Sequence, residues 1–246
     1  MNNYEENSLK EMFLWQKKMK KEPSFSSDFA KGIQNKMNNL LPDKIQDIIN
    51  ISIENMTKLV LTGSEYTAKP PLINTSLEDR EILAKGSIDF YRKAATVSGA
   101  GTGGAGLLIG LADFPILLSL KMKFLYEIAS IYGFDVRDYK ERLYILYVFQ
   151  LAFSSDKRRI EIYNQISNWD NHVKNLPEDV NSFDWKTFQQ EYRDYIDLAK
   201  MLQLVPGIGL VVGAYANYKL MNKLYDTALN SYRLRIFKSN IYRHKK

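Results

Sequence analysis

The residues with the most chemical promise lie at positions 97–115, VSGAGTGGAGLLIGLADFP. Gly99, Gly101, Gly103, Gly104, Gly106 and Gly110 crowd into a stretch that carries no charge before Asp113. Gly99-x-Gly101-x-x-Gly104 and Gly101-x-Gly103-x-x-Gly106 both match the spacing that lets a dinucleotide pyrophosphate approach a helix N-terminus. That chemistry needs a strand before the tract and a helix after it. The residues ahead of it instead continue a helical face from Ile82 through Leu83, Gly86 and Phe90, and only Thr96 and Val97 are strand-like. No strand–helix alternation follows, and no Lys-Ser/Thr pair completes a Walker A loop. A glycine inside a helix costs about 1 kcal/mol relative to alanine, so six of them need another use. Close helix packing supplies one. Ser98, Thr102, Gly106 and Gly110 recur every fourth residue, and Gly209-Leu-Val-Val-Gly213 gives a second small stripe. Such stripes let two helix backbones approach closely. Gly99, Gly103, Gly106, Gly110, Gly209 and Gly213 are therefore the expected packing positions.

Other catalytic groups are sparse. The chain has no cysteine, which excludes disulfides, thiol nucleophiles and cysteine-based metal sites. His172 and His244 are the two histidines, and neither has a partner at helical metal spacing. HExxH and GxSxG are absent. No metal and no cofactor is expected. Asp113 ends the glycine segment just before Phe114-Pro115, where it reads either as a partly desolvated carboxylate or as a helix cap. Glu127 and Asp226 occupy matched places in two similar segments, where they either pair with lysines or point into a polar site between the copies, and Asn217 lies beyond the second glycine stripe. Asp113, Glu127, Asn217 and Asp226 form the candidate polar site. If they converge, a hydrolase or lipid-handling pocket near Asp113 and Asn217 is the alternative to a purely binding function. Carboxylates alone do not establish acid–base chemistry.

The elements that must position these residues are helical. Ile45, Ile48, Ile49, Met56, Leu59 and Val60 share one face at the 3.6-residue period, as do Leu220, Leu224 and Ala228. Prolines 23, 42, 70, 71, 177 and 206 fall between the periodic stretches. The pattern predicts about nine helices, near 4–20, 24–40, 43–62, 77–97, 114–132, 137–153, 156–174, 184–203 and 207–236. Ser76 reads as a helix cap, and Gly133 followed by Asp135 as a stop and a new start. Leu143 to Phe153 is aromatic and β-branched enough for a strand, but it has no partner strand and is read as a buried helix. The expected fold is all-α. It is a single compact domain, with N-terminal helices over 1–76 and a glycine-rich core with a basic tail over 77–246.

With 246 residues and 45% hydrophobic content, the chain can bury a substantial core. Its first residues carry acids and no apolar run, so no signal peptide is expected. The net charge is +6 and the isoelectric point about 9.2. Arg233, Arg235, Lys238, Arg243, Lys245 and Lys246 cluster near the end. Interleaved with Tyr232, Phe237, Ile241 and Tyr242, they read either as a solvated helix end, where cations suit the macrodipole, or as a contact for an anionic membrane surface, and no nucleic acid is expected. Residues 94–112 are uncharged but glycine-dominated, and Pro206 interrupts 201–218, so neither makes a strong spanning helix.

The two glycine segments echo one another. Gly104-Ala-Gly106-Leu107-Leu-Ile-Gly110 parallels Gly207-Ile-Gly209-Leu210-Val-Val-Gly213, and Leu125-Tyr126-Glu127 parallels Leu224-Tyr225-Asp226. Internal duplication and coincidence both account for this. Ala112-Asp113-Phe114-Pro115 with Tyr126-Glu127-Ile128-Ala129 and Tyr132-Gly133-Phe134-Asp135 resembles the EcsC family. So do Pro206-x-Ile208-Gly209-x-x-Val212-Gly213, Asn217-Tyr218, Tyr232-Arg233-Leu234-Arg235 and the early Trp15. The resemblance covers most of the chain, with phenylalanine at 114 where leucine is expected. It implies association with subunits of an Ecs-type ABC transporter and supplies no catalytic residues. The function expected is a non-enzymatic interaction protein at the cytoplasmic membrane face.

If the small stripes are contact surfaces, Gly106→Leu or Gly213→Leu forces backbones apart and destabilises the fold by roughly 1–3 kcal/mol. Thermal melting of both variants checks this, and unchanged midpoints would count against buried contact.

Overall fold

The computed structural model describes residues 1–22, 43–63, 69–100, 114–154, 156–178 and 210–243, with backbone alone at 43–46, 96–100, 156–157, 210–216 and 240–243. Among the described residues there are eight α-helices and no strand. They are α1 (Asn3–Lys20), α2 (Asp43–Thr62), α3 (Leu77–Ala100), α4 (Phe114–Ile131), α5 (Tyr139–Phe153), α6 (Asp156–Ser167), α7 (Trp169–His172) and α8 (Leu210–Arg243). A short 3-10 turn, Val173–Asn175, follows α7. The helices expected at 24–40 and 184–203 lie outside the described residues. The all-α fold is as the periodicity implied.

Local chemistry sets the helix ends. Asn2 and Glu5 form a reciprocal capping box at the start of α1. The Asp79 amide donates to Ser76 Oγ at 3.1 Å, so Ser76 caps α3. Pro115 sits in the first turn of α4, where its missing N–H costs nothing. Gly133 ends that helix with φ +89°, and a Cβ there would lie 2.8 Å from the Leu72 carbonyl oxygen. The next helix starts later than Asp135: Asp138 caps α5 by accepting from the Lys140 amide, while Asp135 chelates Arg137. The stretch expected as one helix over 156–174 breaks at Asn168.

Every residue from Leu143 to Phe153 is buried. A helix enclosed on all sides has no polar face, which is why α5 shows little periodicity. Around it, α8 packs against α3 and α5, α4 lies against α3 and α2, and α1 crosses α8 and α6. Arg80 staples α3 to the end of α4 by donating to the carbonyls of Ile131 at 2.5 Å and Leu72 at 2.9 Å. At 34 residues, α8 is about 51 Å long and touches most of the other helices.

Two charges on α8 differ from expectation. Arg233 and Arg235, expected among the surface cations of the tail, both turn inward. Arg233, 4% exposed, forms a bidentate pair with Glu81 of α3 through two 2.6 Å bonds and also reaches Glu11 of α1 at 2.9 Å. Glu81 additionally accepts from the hydroxyls of Tyr4 and Tyr132. Arg235 binds Glu141 of α5 at 2.6 Å and lies 3.7 Å over the Phe134 ring. Tyr232 donates to the same Glu141. Burial raises the Glu141 carboxyl above its ordinary range, while Arg235 and Tyr232 oppose that rise. Burial disfavours the charged Arg233, but its bonds to Glu81 and Glu11 outweigh this and leave its pKa above the usual value. Such desolvated guanidiniums are unavailable to a lipid surface. Lys238 is exposed, but donates to the Ser167 carbonyl. Arg243 ends α8 with its side chain undescribed, and Lys245 and Lys246 lie outside the described residues.

One buried cation has no carboxylate beside it among the described residues. Lys121 is fully enclosed in α4, and its ammonium reaches the Leu117 carbonyl at 3.5 Å. Burial pushes its pKa down to about 7.

Breaking the Glu81–Arg233 pair on one side should be costly, because it strands a buried charge. Glu81→Gln or Arg233→Met is expected to lose roughly 3–5 kcal/mol in urea melts, and the double variant less than the sum. Lys121 makes a separate prediction. Between pH 7 and the ordinary lysine value of 10.5, the unfolded chain holds a proton that the folded chain releases. Stability therefore rises with pH in that window, by roughly 1–2 kcal/mol from pH 7 to 9. Lys121→Met should flatten this rise, and urea melts at several pH values check it.

Candidate functional site

Of the four polar residues proposed to converge, Asp113 lies outside the described residues. Glu127, on α4, accepts from Lys69 at 2.8 Å. Its other neighbour is Tyr91 of α3, whose hydroxyl is pushed above the phenolic range by burial and then by the Glu127 carboxylate. Asn217 is fully buried in α8. Asp226 lies nine residues further along the same helix, an axial separation of about 14 Å. That is too far for both to hold one reacting atom. Packed neighbours raise the Asp226 carboxyl above its ordinary range, while Lys18, Arg92 and Arg233 pull it down. Asn217 and Asp226 therefore do not share one reacting atom, and Glu127 is engaged by Lys69 and Tyr91.

Gly99 falls within α3 and Gly213 within α8, so both stripes reach into helices. Gly103, Gly106, Gly110 and Gly209 lie outside the described residues. His172 packs its ring on Tyr147 and Trp169 with centroids 5.1 and 5.8 Å away, and burial lowers its pKa. Among the described residues, no group of three or more histidines and acids is arranged to hold a metal ion. No helix among them is long and apolar enough to cross a membrane.

The outstanding surface feature is on α3. This helix buries Ala84, Ile88, Tyr91 and Ala95 along one side. On the opposite side it exposes Ile82 (62%), Leu83 (49%) and Phe90 (65%). At 100° per residue these three fall, with Gly86, in a sector of about 100°. Nothing lies within 4 Å of where a Gly86 Cβ would be, so the stripe has an open notch at its centre. Charges of both signs surround it, with Glu78, Asp79 and Asp89 against Lys85 and Lys93, all exposed.

The far side of α3 is held rigidly. Arg92 donates to Asn222 of α8 at 2.5 Å, bonds Asp89 at 2.8 Å, and lies over the rings of Tyr218 and Tyr225. Glu81 is fixed by Arg233 and two tyrosines. The stripe is consequently displayed on a helix that cannot easily roll to hide it. The sequence contained its spacing, but spacing alone does not tell which of two apolar faces is covered.

Three comparisons bear on the chain. The EcsC protein family pattern matches residues 6–237. "Protein EcsC" of Bacillus subtilis (strain 168) is 43% identical over 94% of this chain and 95% of its own length. "Uncharacterized protein YdbA" of the same organism is 29% identical over 92% of this chain and 90% of its own. No solved structure matches. A family match across nearly all the described helices, together with this level of identity to a full-length relative, assigns the chain: it belongs to the EcsC protein family.

Proposed function

We propose that the chain is a non-enzymatic docking protein that works at the cytoplasmic face of the membrane by binding a helix of an Ecs-type ABC transporter. The observation that carries this reading is the exposed stripe of Ile82, Leu83 and Phe90 on α3, with its notch at Gly86. Apolar positions three and four residues apart, bare on a rigid helix, are what an amphipathic partner helix uses to dock. Its surroundings favour protein over lipid. A helix lying on an anionic bilayer carries an excess of lysine and arginine on its polar face. The residues bordering this stripe include three acids and two lysines. Mixed charge of that kind suits pairing with a second helix. The transporter enters through the family resemblance, and the mode of binding through the stripe. Membrane attachment in this reading is indirect, since Arg233 and Arg235 are committed to buried carboxylates.

The test is co-purification. Tagged wild-type protein should retain the transporter subunits and sediment with membranes only when their genes are present. Leu83→Asp with Phe90→Asp should abolish both while leaving the thermal midpoint unchanged, because both side chains are exposed. Retention of the transporter by the double variant, or membrane sedimentation of the wild type without transporter genes, would sink the reading.

A further inference from the structure

Helix α1 lies against the body through Ser8, Met12, Trp15 and Met19, all buried. Several contacts fix its roll. Arg233 reaches Glu11 at 2.9 Å, and Tyr4 donates to Glu81 at 2.7 Å. Arg159 donates to the carbonyls of Met19 at 3.2 Å and Lys21 at 2.6 Å. The edge of Tyr163 stands 5.7 Å from Trp15. The outer face of α1 is therefore held in place, as that of α3 is.

The two outer faces differ in charge. On α1, Phe13 is 51% exposed and Leu14 66%. Lys10 lies about one turn before this pair, Lys17 and Lys18 about one turn after it, and Lys21 about two. At 100° per residue these six residues fall in a sector of about 140°, opposite the buried row. The four lysines are exposed, as is Lys20 at the sector's edge. Lys18 is drawn toward Asp226, and Lys20 lies 5.8 Å over the Tyr163 ring. Among the described residues, no carboxylate pairs with Lys10, Lys17 or Lys21. The nearest acid along the helix, Glu11, is taken by Arg233. Cations at a helix C-terminus suit the macrodipole. That accounts for Lys17, Lys18 and Lys20, but not for Lys10 or for two bare apolar side chains between the lysines.

We infer that this face of α1 rests on the anionic surface of a lipid bilayer, with the helix axis in the membrane plane. Phe13 and Leu14 enter the boundary between headgroups and acyl chains, and Lys10, Lys17 and Lys21 meet the phosphates. Their methylene stems lie along the apolar pair while the ammonium groups reach outward. A second copy of the chain would set lysine against lysine. A nucleic acid would take the lysines but leave Phe13 and Leu14 without a partner. The inference rests on the reading that the chain works beside a membrane, and it adds a weak direct contact to the docked state. Even a single acyl chain gives only marginal, reversible attachment, and Phe13 and Leu14 each keep part of their surface against the protein. Washed cell membranes therefore do not hold the chain without the transporter, whereas concentrated vesicles at low salt do.

The experiment is flotation of the full chain with vesicles of phosphatidylglycerol and phosphatidylcholine in equal parts. Binding is expected at low salt and release at 1 M salt, where screening shortens to about 3 Å. Phosphatidylcholine alone should bind at least about tenfold more weakly. Lys10→Glu with Lys17→Glu, and separately Phe13→Ser with Leu14→Ser, should each weaken binding by about tenfold or more. Circular dichroism should remain unchanged, because all four side chains are exposed. The chain has no cysteine, so one can be placed and labelled with a polarity-sensitive dye. The dye at Leu14→Cys should shift to the blue on the vesicles, and at Phe90→Cys it should not. No binding to the anionic vesicles would overturn the inference and leave an acidic protein as the partner of this face. Equal binding to phosphatidylcholine, indifference to either pair of substitutions, or a blue shift at Phe90→Cys alone would overturn it as well. Since the flotation variants leave Leu83 and Phe90 in place and no transporter is present, failure here leaves the docking test standing.

Discussion

Arg233 and Arg235 stand two residues apart on α8, so their side chains leave the helix roughly 200° from one another. One meets Glu81 on α3 and the other Glu141 on α5. This arrangement fixes the position of α8 between two neighbours at once. Burying charge is expensive, and replacement of such pairs by well-packed apolar groups often leaves a protein as stable or more so. Their contribution is better understood as register. Sliding α8 by one turn would keep apolar faces in contact but leave two guanidiniums and two carboxylates unpaired in the interior. Tyr4, Tyr132 and Tyr232 add hydroxyl donors to the carboxylates and narrow the allowed geometry further.

What could be read from the sequence, and what could not, follows from the range of the interactions. Helix boundaries depend on local groups, so prolines, Ser76 and the 3.6-residue period located most of them. The Asp135 boundary went astray because Asp138, three residues later, offers the same capping chemistry, while Asp135 is occupied by Arg137. Two members of the basic tail, Arg233 and Arg235, depart from expectation for a different reason. A charge run at a helix end ordinarily faces water. The carboxylates that draw Arg233 and Arg235 inward lie 152 and 94 residues away, with nothing local to announce them.

The same limit governs the surfaces. Helix α3 is apolar on two sides, and its periodicity cannot say which side is covered. Exposure of Phe90 beside buried Tyr91 is visible only once α4 and α8 are in place. Lys121 is similar, a buried cation two residues from the exposed Lys123 that a sequence pattern would also place in solvent. The quartet built around Asp113 rested on proposed repeat symmetry. Asn217 and Asp226 stand nine residues apart on one helix, about 14 Å along its axis, a spacing that repeat symmetry does not bring into view.

The Arg233 pairings also bear on how the chain is made. Glu11 and Glu81 must wait for a partner that follows them by 222 and 152 residues. Helix α5, enclosed on all sides, is likewise bounded by a helix that begins at Leu210. At ordinary synthesis rates of roughly 5–20 residues per second, this leaves carboxylates and apolar surface uncovered for several seconds after they emerge. Long sequence separation between contacts also slows folding itself. Closure therefore waits for α8, and a chain cut short before Arg233 loses the residue that pairs with Glu81 and Glu11. Quality-control proteases would meet such a fragment with α5 still open to attack.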